Sequence, residues 1–208
     1  MNDMLWESLT LALTGLFATG VSLYLHRDTE RLKFLGLFFA SGLFTIAELS
    51  AALRTIITEG TANFIANLLI EWCHIFCIAF VLSSLLLFIR ESKPEFSRFP
   101  LIYGTLPLVI IISYLLVYDT IVLKFWLLNI YQGGAAIVAL MMYGIYSYQD
   151  PVYGTLAVGS ALFVVSFLLY TIIPGYALIW QTCLALGVII TFCGYLVVEK
   201  HYANAFTD

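Results

Sequence analysis

The chain has 208 residues, of which 62% are hydrophobic and only 11% charged, with a formal net charge of −4 and a mean hydropathy of +0.99. Soluble domains carry about a quarter of charged residues, so this composition excludes an ordinary soluble enzyme or binding domain, and no nucleic-acid partner is expected. What remains is an integral membrane protein whose first partner is the lipid bilayer.

A bilayer core about 30 Å thick takes roughly 20 residues of helix to cross. Apolar stretches of about that length run over 4–25, 34–57, 62–89, 100–118, 121–146, 152–173 and 176–198. They lack the alternation of barrel strands, and open strands leave backbone groups unsatisfied in lipid, so all are predicted to be helices. The expected fold is all-α: a polytopic membrane protein with one domain over 1–208, folded as a seven-transmembrane-helix bundle. The acidic start, from Met1 to Glu7, lacks the basic region of a signal peptide, so the first span is expected to be retained.

Basic residues set the orientation. Arg27, Arg31, Lys33, Arg90, Lys93, Arg98 and Lys200 fall on one side of the predicted spans, and only Arg54 and Lys124 on the other. That bias predicts the N-terminus outside and the C-terminus in the cytoplasm. Trp6, Trp126 and Trp180 then lie near the outer boundary, as an aromatic belt would have them. The expected location is a cell membrane, read as a bacterial or archaeal cytoplasmic membrane.

Connections are short, the longest running from Glu91 to Phe99, so no soluble catalytic domain is inserted between spans. The chain is expected to act within the membrane or through a protein partner in the membrane or cytoplasm. Small residues at Gly133-Gly134-Ala135-Ala136, Gly36-x-x-x-Ala40 and Ala157-x-x-x-Ala161 predict surfaces where helix backbones approach closely. Cys73, Cys77, Cys183 and Cys193 all lie within spans and read as packing residues rather than a disulfide framework.

Ionisable residues inside the spans carry the functional reading. Glu48 lies about 22 Å along span two from Lys33, in its outer half; Asn67, Glu71 and His74 lie about 9 to 20 Å into span three from Thr61. The last three repeat at i, i+4, i+7 and share a helix face. Arg54 follows Glu48 by about a turn and a half. Asn129 and Gln132 in span five and Gln181 in span seven come to the same level, whereas the cytoplasmic halves offer mainly hydroxyls such as Ser83, Ser84 and Thr155. The pattern predicts an outward-facing polar pocket above an apolar plug.

A carboxylate in the bilayer costs at least about 2.5 kcal/mol, so Glu48 and Glu71 need partners or water. Three readings meet that need: structural pairing that fixes helix register, a pocket for a small polar or amphipathic ligand entering from the outer side (or a proton-sensitive switch at His74), and a metal site. Glu71-x-x-His74 has the spacing of di-iron helical bundles, but with Glu48 it offers only two carboxylates and one histidine, enough for one ion. No cofactor is specified. The seventh span holds no lysine for a retinal Schiff base, His26 and His201 lie too far from His74 for a bis-histidine haem, and Ser83 and Ser84 are poorly placed for activation by His74. No catalytic residue is assigned.

The segment Phe44-x-x-x-Glu48-Leu49 near the outer end of span two, the third span ending Phe88-Ile89-Arg90-Glu91, and the N-out seven-helix layout resemble the amino-terminal seven-helix sensor region of bacterial histidine kinases. The resemblance covers most of the chain in architecture but only a short motif in residues. No kinase domain is expected after Asp208, so the resemblance implies signalling through a separate protein. The expected function is that of a non-enzymatic, sensor-like or ligand-binding module, or a subunit of a membrane complex. Alternatives are a small transporter or channel, and a metal- or cofactor-dependent membrane enzyme.

Overall fold

The computed structural model describes residues 2–57, 60–92, 100–117, 120–173 and 177–205. Long apolar runs satisfy their backbone groups internally only as helices, and the described residues form seven α-helices and no strand. These are α1 (Asn2–Thr29), α2 (Leu32–Ile56), α3 (Thr61–Ser92), α4 (Pro100–Leu116), α5 (Ile121–Gln149), α6 (Gly154–Ile172) and α7 (Ala177–Ala205), with a 3-10 turn at Pro151–Tyr153 before α6.

Local chemistry sets the breaks. Glu30 takes a φ of 55° and donates its N–H to the His26 carbonyl at 2.8 Å, which closes α1. Gly60, just before α3, has a φ of 87°, a region that only glycine enters without strain. Asp150 accepts the Val152 N–H at 3.0 Å and Pro151 follows it, so the 3-10 turn is capped and its first residue needs no donor.

Among the described residues six stretches are long and apolar enough to cross a membrane: Met4–Thr29, Leu32–Ile56, Thr61–Glu91, Val122–Gln149, Pro151–Ile172 and Ala177–Ala203. In the stretch expected over 100–118, whose last residue lies outside the described residues, the apolar helix is shorter. Helix α4 has 17 residues and contains Pro107, whose missing N–H leaves one backbone bond unmade; its rise of about 25 Å falls below a core of about 30 Å. Elsewhere helices outrun the apolar runs, α1 to Thr29 and α7 to Ala205. Polar residues at helix ends stop the hydropathy signal before they stop the helix.

The chain divides into two compact units, residues 1–132 and 133–208, the division falling within α5. In the first unit α1, α2 and α3 pack in antiparallel order. A Cβ on Gly15 would meet Thr45, while Thr19 Oγ1 donates to Ser41 Oγ at 3.1 Å. Between α2 and α3 the register is fixed at four levels, Lys33 with Glu91, Gly36 with Ser84, Glu48 with His74 and Arg54 with Asn67. Buried hydroxyls on these faces donate to their own helix, Ser22 to Ala18, Ser41 to Leu37 and Ser84 to Phe80. Such bonds let polar side chains lie between helices without orphaned donors.

In the second unit α6 and α7 pack through glycine. A Cβ on Gly159 would strike Thr191, one on Gly187 would meet the Phe163 ring at 3.0 Å, and one on Gly194 would meet Thr155 Oγ1 at 2.8 Å. The surfaces expected from small-residue spacing are partly relocated. Gly36 does lie against α3, and Gly133 meets the Phe167 ring. Gly134, by contrast, has nothing within 4 Å of a Cβ position, and the tight contact of α6 is at Gly159, between Ala157 and Ala161. Spacing identifies a stripe; only the packed neighbour decides which side of it is used.

Candidate functional site at one end of the first unit

Because α2 and α3 are antiparallel and joined over 57–60, the last turns of α2 face the first turns of α3. Arg54 Nη1 donates to Asn67 Oδ1 at 2.9 Å near the connection. Further in, His74 Nε2 stands 3.7 Å from Glu48 Oε1, with Glu48 nearly buried. That distance is too long for a hydrogen bond, and the contact is an ion pair only when the imidazole is protonated. Phe44, one turn before Glu48, places its ring 6.4 Å from the His74 ring. Phe44 and Glu48 therefore present one face to the same histidine.

Glu71 turns elsewhere. Residues three apart on a helix point about 60° from one another, and on α3 that angle separates the side facing α2 from the side facing α4 and α5. The Glu71 carboxylate accepts from the Tyr114 hydroxyl of α4 and from the Lys124 ammonium of α5, both on Oε1. Lys124 Nζ also lies 5.1 Å from the Tyr114 ring centroid, so the aromatic ring shares the cation. Tyr114 is buried with Ile75 and Ile110, and Trp72, Leu127, Leu128 and Tyr131 pack against them. Trp72 meets the Tyr114 ring edge-on at 5.8 Å, and Ser113 Oγ lies 2.8 Å from the Tyr131 hydroxyl. The Lys124 side chain is 16% exposed and that of Glu71 33%, so the pair is half withdrawn into an aromatic wall.

Five of the eight residues singled out in the sequence thus engage across helices, but as separate groups. Glu48 and His74 form one, Arg54 and Asn67 another, and Glu71 belongs to a third whose remaining members, Tyr114 and Lys124, were not among them. Asn129 is buried and donates to the Phe125 carbonyl of its own helix at 2.9 Å. Gln132 is half-buried at the last position of the first unit, and Gln181 belongs to the second. Among the described residues no three of His, Cys, Asp and Glu come together to hold a metal ion; Glu71 and His74 face different neighbours. Lys124 carries a usable signal, a lysine just inside an apolar helix, but its place in the sequence identifies only a charge at the boundary of a span, not the carboxylate it meets.

The opposite end of the first unit holds another charged pair. Lys33 Nζ lies 2.9 Å from Glu91 Oε2, and 5.0 and 4.6 Å from the Phe34 and Phe88 ring centroids. Between the two ends the described polar contacts are hydroxyls bonded to helix carbonyls and the Thr19–Ser41 pair. Compared with known proteins, the chain matches no family model, no curated protein and no solved structure.

Proposed function

We propose that the chain is a seven-span membrane protein, with α4 as the short fourth span, the N-terminus outside and the C-terminus in the cytoplasm, and that it works as a sensor-like, ligand-binding module acting through a separate protein partner. The observation that carries this reading is the gathering of Glu48–His74, Arg54–Asn67 and Glu71–Tyr114–Lys124 at one end of four helices. The charge bias of the connections turns that end outward. A small polar or amphipathic ligand with an ionised group would enter by competing for Glu71 or Lys124, while the half-buried Trp72, beside the buried Tyr114 ring, offers apolar contact. The Phe44-x-x-x-Glu48 segment, on which the resemblance to histidine-kinase sensor regions rests, presents both residues to His74. Transport would require polar groups along the whole path, and the described middle of the first unit supplies hydroxyls already bonded to backbone.

The test is thermal unfolding of the chain in nanodiscs with small organic cations, anions and zwitterions, for wild type and Lys124→Gln. One charge class should stabilise wild type by about 2.7 kcal/mol at a hundredfold excess over its Kd and do little for the variant. Stabilisation by no class, or equal stabilisation of both proteins, defeats the reading. Reporter fusions check the orientation separately: a C-terminal fusion is expected to be active only in the cytoplasm, and activity outside reverses the assignment of the cluster to the outer face.

A further inference from the structure

Two tyrosines anchor one face of α7 in the second unit, and they do so in different surroundings. Tyr195 and Tyr202 are seven residues apart, two helical turns or about 10.5 Å along the same side. The Tyr195 hydroxyl is bonded to that of Tyr143 on α5; both residues are buried, at 5% and 1% exposure, and Phe192 packs on Tyr195 at 5.9 Å. Tyr202 is half-buried, and its hydroxyl donates to Asp150 Oδ2 at 2.8 Å. Asp150 Oδ1 meanwhile accepts the Val152 N–H at 3.0 Å. One carboxylate therefore caps the connection into α6 and also holds the end of α7.

Aromatic contacts extend this outer anchor. Tyr146 of α5 meets Tyr153 at 5.5 Å, Tyr153 meets Tyr202 at 6.2 Å and also shares a side-chain hydrogen bond with it, and His201 lies 5.6 Å from Tyr202. A hydrogen bond in reach of water can exchange its partner for solvent at small net change, whereas one enclosed by apolar groups has no such alternative. The inner anchor, enclosed on all sides, lacks that alternative, and the half-buried outer one has it.

We propose that Asp150 and Tyr202 form a releasable latch that pins the last two turns of α7 to the α5–α6 connection, and that its opening frees those turns beyond the fixed point at Tyr195. The latch is independent of the ligand reading of the first unit. The groups facing the carboxylate are Tyr202 and His201 of α7, with Tyr153 beside it and Glu199 and Tyr146 beyond Tyr153. The Val152 N–H and then the Tyr202 hydroxyl hold the Asp150 carboxyl below its usual range. A carboxylate whose folded value is depressed contributes fully above the ordinary carboxylate range and loses that contribution as pH falls through the depressed value. Acid is therefore expected to open the latch.

Amide hydrogen exchange of the full chain in nanodiscs, corrected for intrinsic rates, reads the latch directly. Tyr202→Phe, which keeps the ring stack, and Asp150→Asn should each speed exchange over 198–203 by about tenfold and leave 192–196 unchanged. Acidification should speed the same amides in wild type and add little in Asp150→Asn. Unchanged exchange over 198–203 in both variants overturns the proposal. So does an equal rise along all of α7, since that would make the bond an ordinary part of the unit's stability.

Discussion

Lys124→Met is expected to destabilise the chain in detergent by about 1.5–3 kcal/mol, the largest loss from any single polar replacement in the first unit. Removing one member of a buried ion pair leaves the other charge uncompensated, which costs about 3–5 kcal/mol when burial is complete. Here the Glu71 side chain is 33% exposed and that of Lys124 16%, so solvent screening lowers the figure. Glu71 would keep only the Tyr114 hydroxyl, within a wall of Trp72, Ile75 and Leu127. Adding Glu71→Gln should recover most of the loss, because a neutral amide still accepts from Tyr114 and no ion remains. The loss in the double variant should therefore be at least about 1 kcal/mol smaller than the sum of the two single losses. Additive losses, or a Lys124→Met variant as stable as wild type, would show that the pair contributes little to the fold and weaken its standing as the core of a binding site.

The helices were legible in the sequence because a run of apolar residues long enough to span lipid has one way to satisfy its backbone. Their ends were less so, since Arg27 to Thr29 and Lys200 to Ala205 continue helices after the apolar signal has stopped. Depth along a helix was also readable: counting from Lys33 and Thr61 brought Glu48 and His74 to one level, and they face each other at 3.7 Å. Angle was not. Glu71 and His74 share a broad face of α3, yet the difference between them is enough to send one toward α2 and the other toward α4 and α5. No count along a single chain reveals where a neighbouring helix begins to cover that face. Lys124 escaped for a related reason, because its flexible stem lets an ammonium near a helix end reach a carboxylate about ten residues deep in another helix.

The same limit separates two glycines that look alike in sequence, and Gly159→Ala is expected to cost about 1–3 kcal/mol while Gly134→Ala is neutral or stabilising. In a membrane, helices associate through close contact rather than through exclusion of water, so the separation of two backbones matters directly. At Gly159 a Cβ would overlap the Thr191 hydroxyl and stand 2.9 Å from the Thr191 nitrogen and 3.1 Å from its Cα. A side chain can rotate away; backbone atoms cannot, so α6 and α7 would have to part along an interface that also buries Leu156 and Ser160. Overpacking of this kind typically costs about 1–3 kcal/mol. Thr191→Ala should relieve only the part due to the side chain. The Thr191 hydroxyl has no hydrogen-bond partner among the described residues, so its removal sacrifices no bond and the double variant should recover part of the loss, not all of it. At Gly134 a Cβ meets nothing within 4 Å, and replacing glycine inside a helix by alanine gains up to about 1 kcal/mol. Thermal unfolding of the four proteins in one detergent compares them. Equal stabilities for Gly159→Ala and Gly134→Ala, or full recovery by Thr191→Ala, would mean that α6 and α7 are not held at backbone contact there.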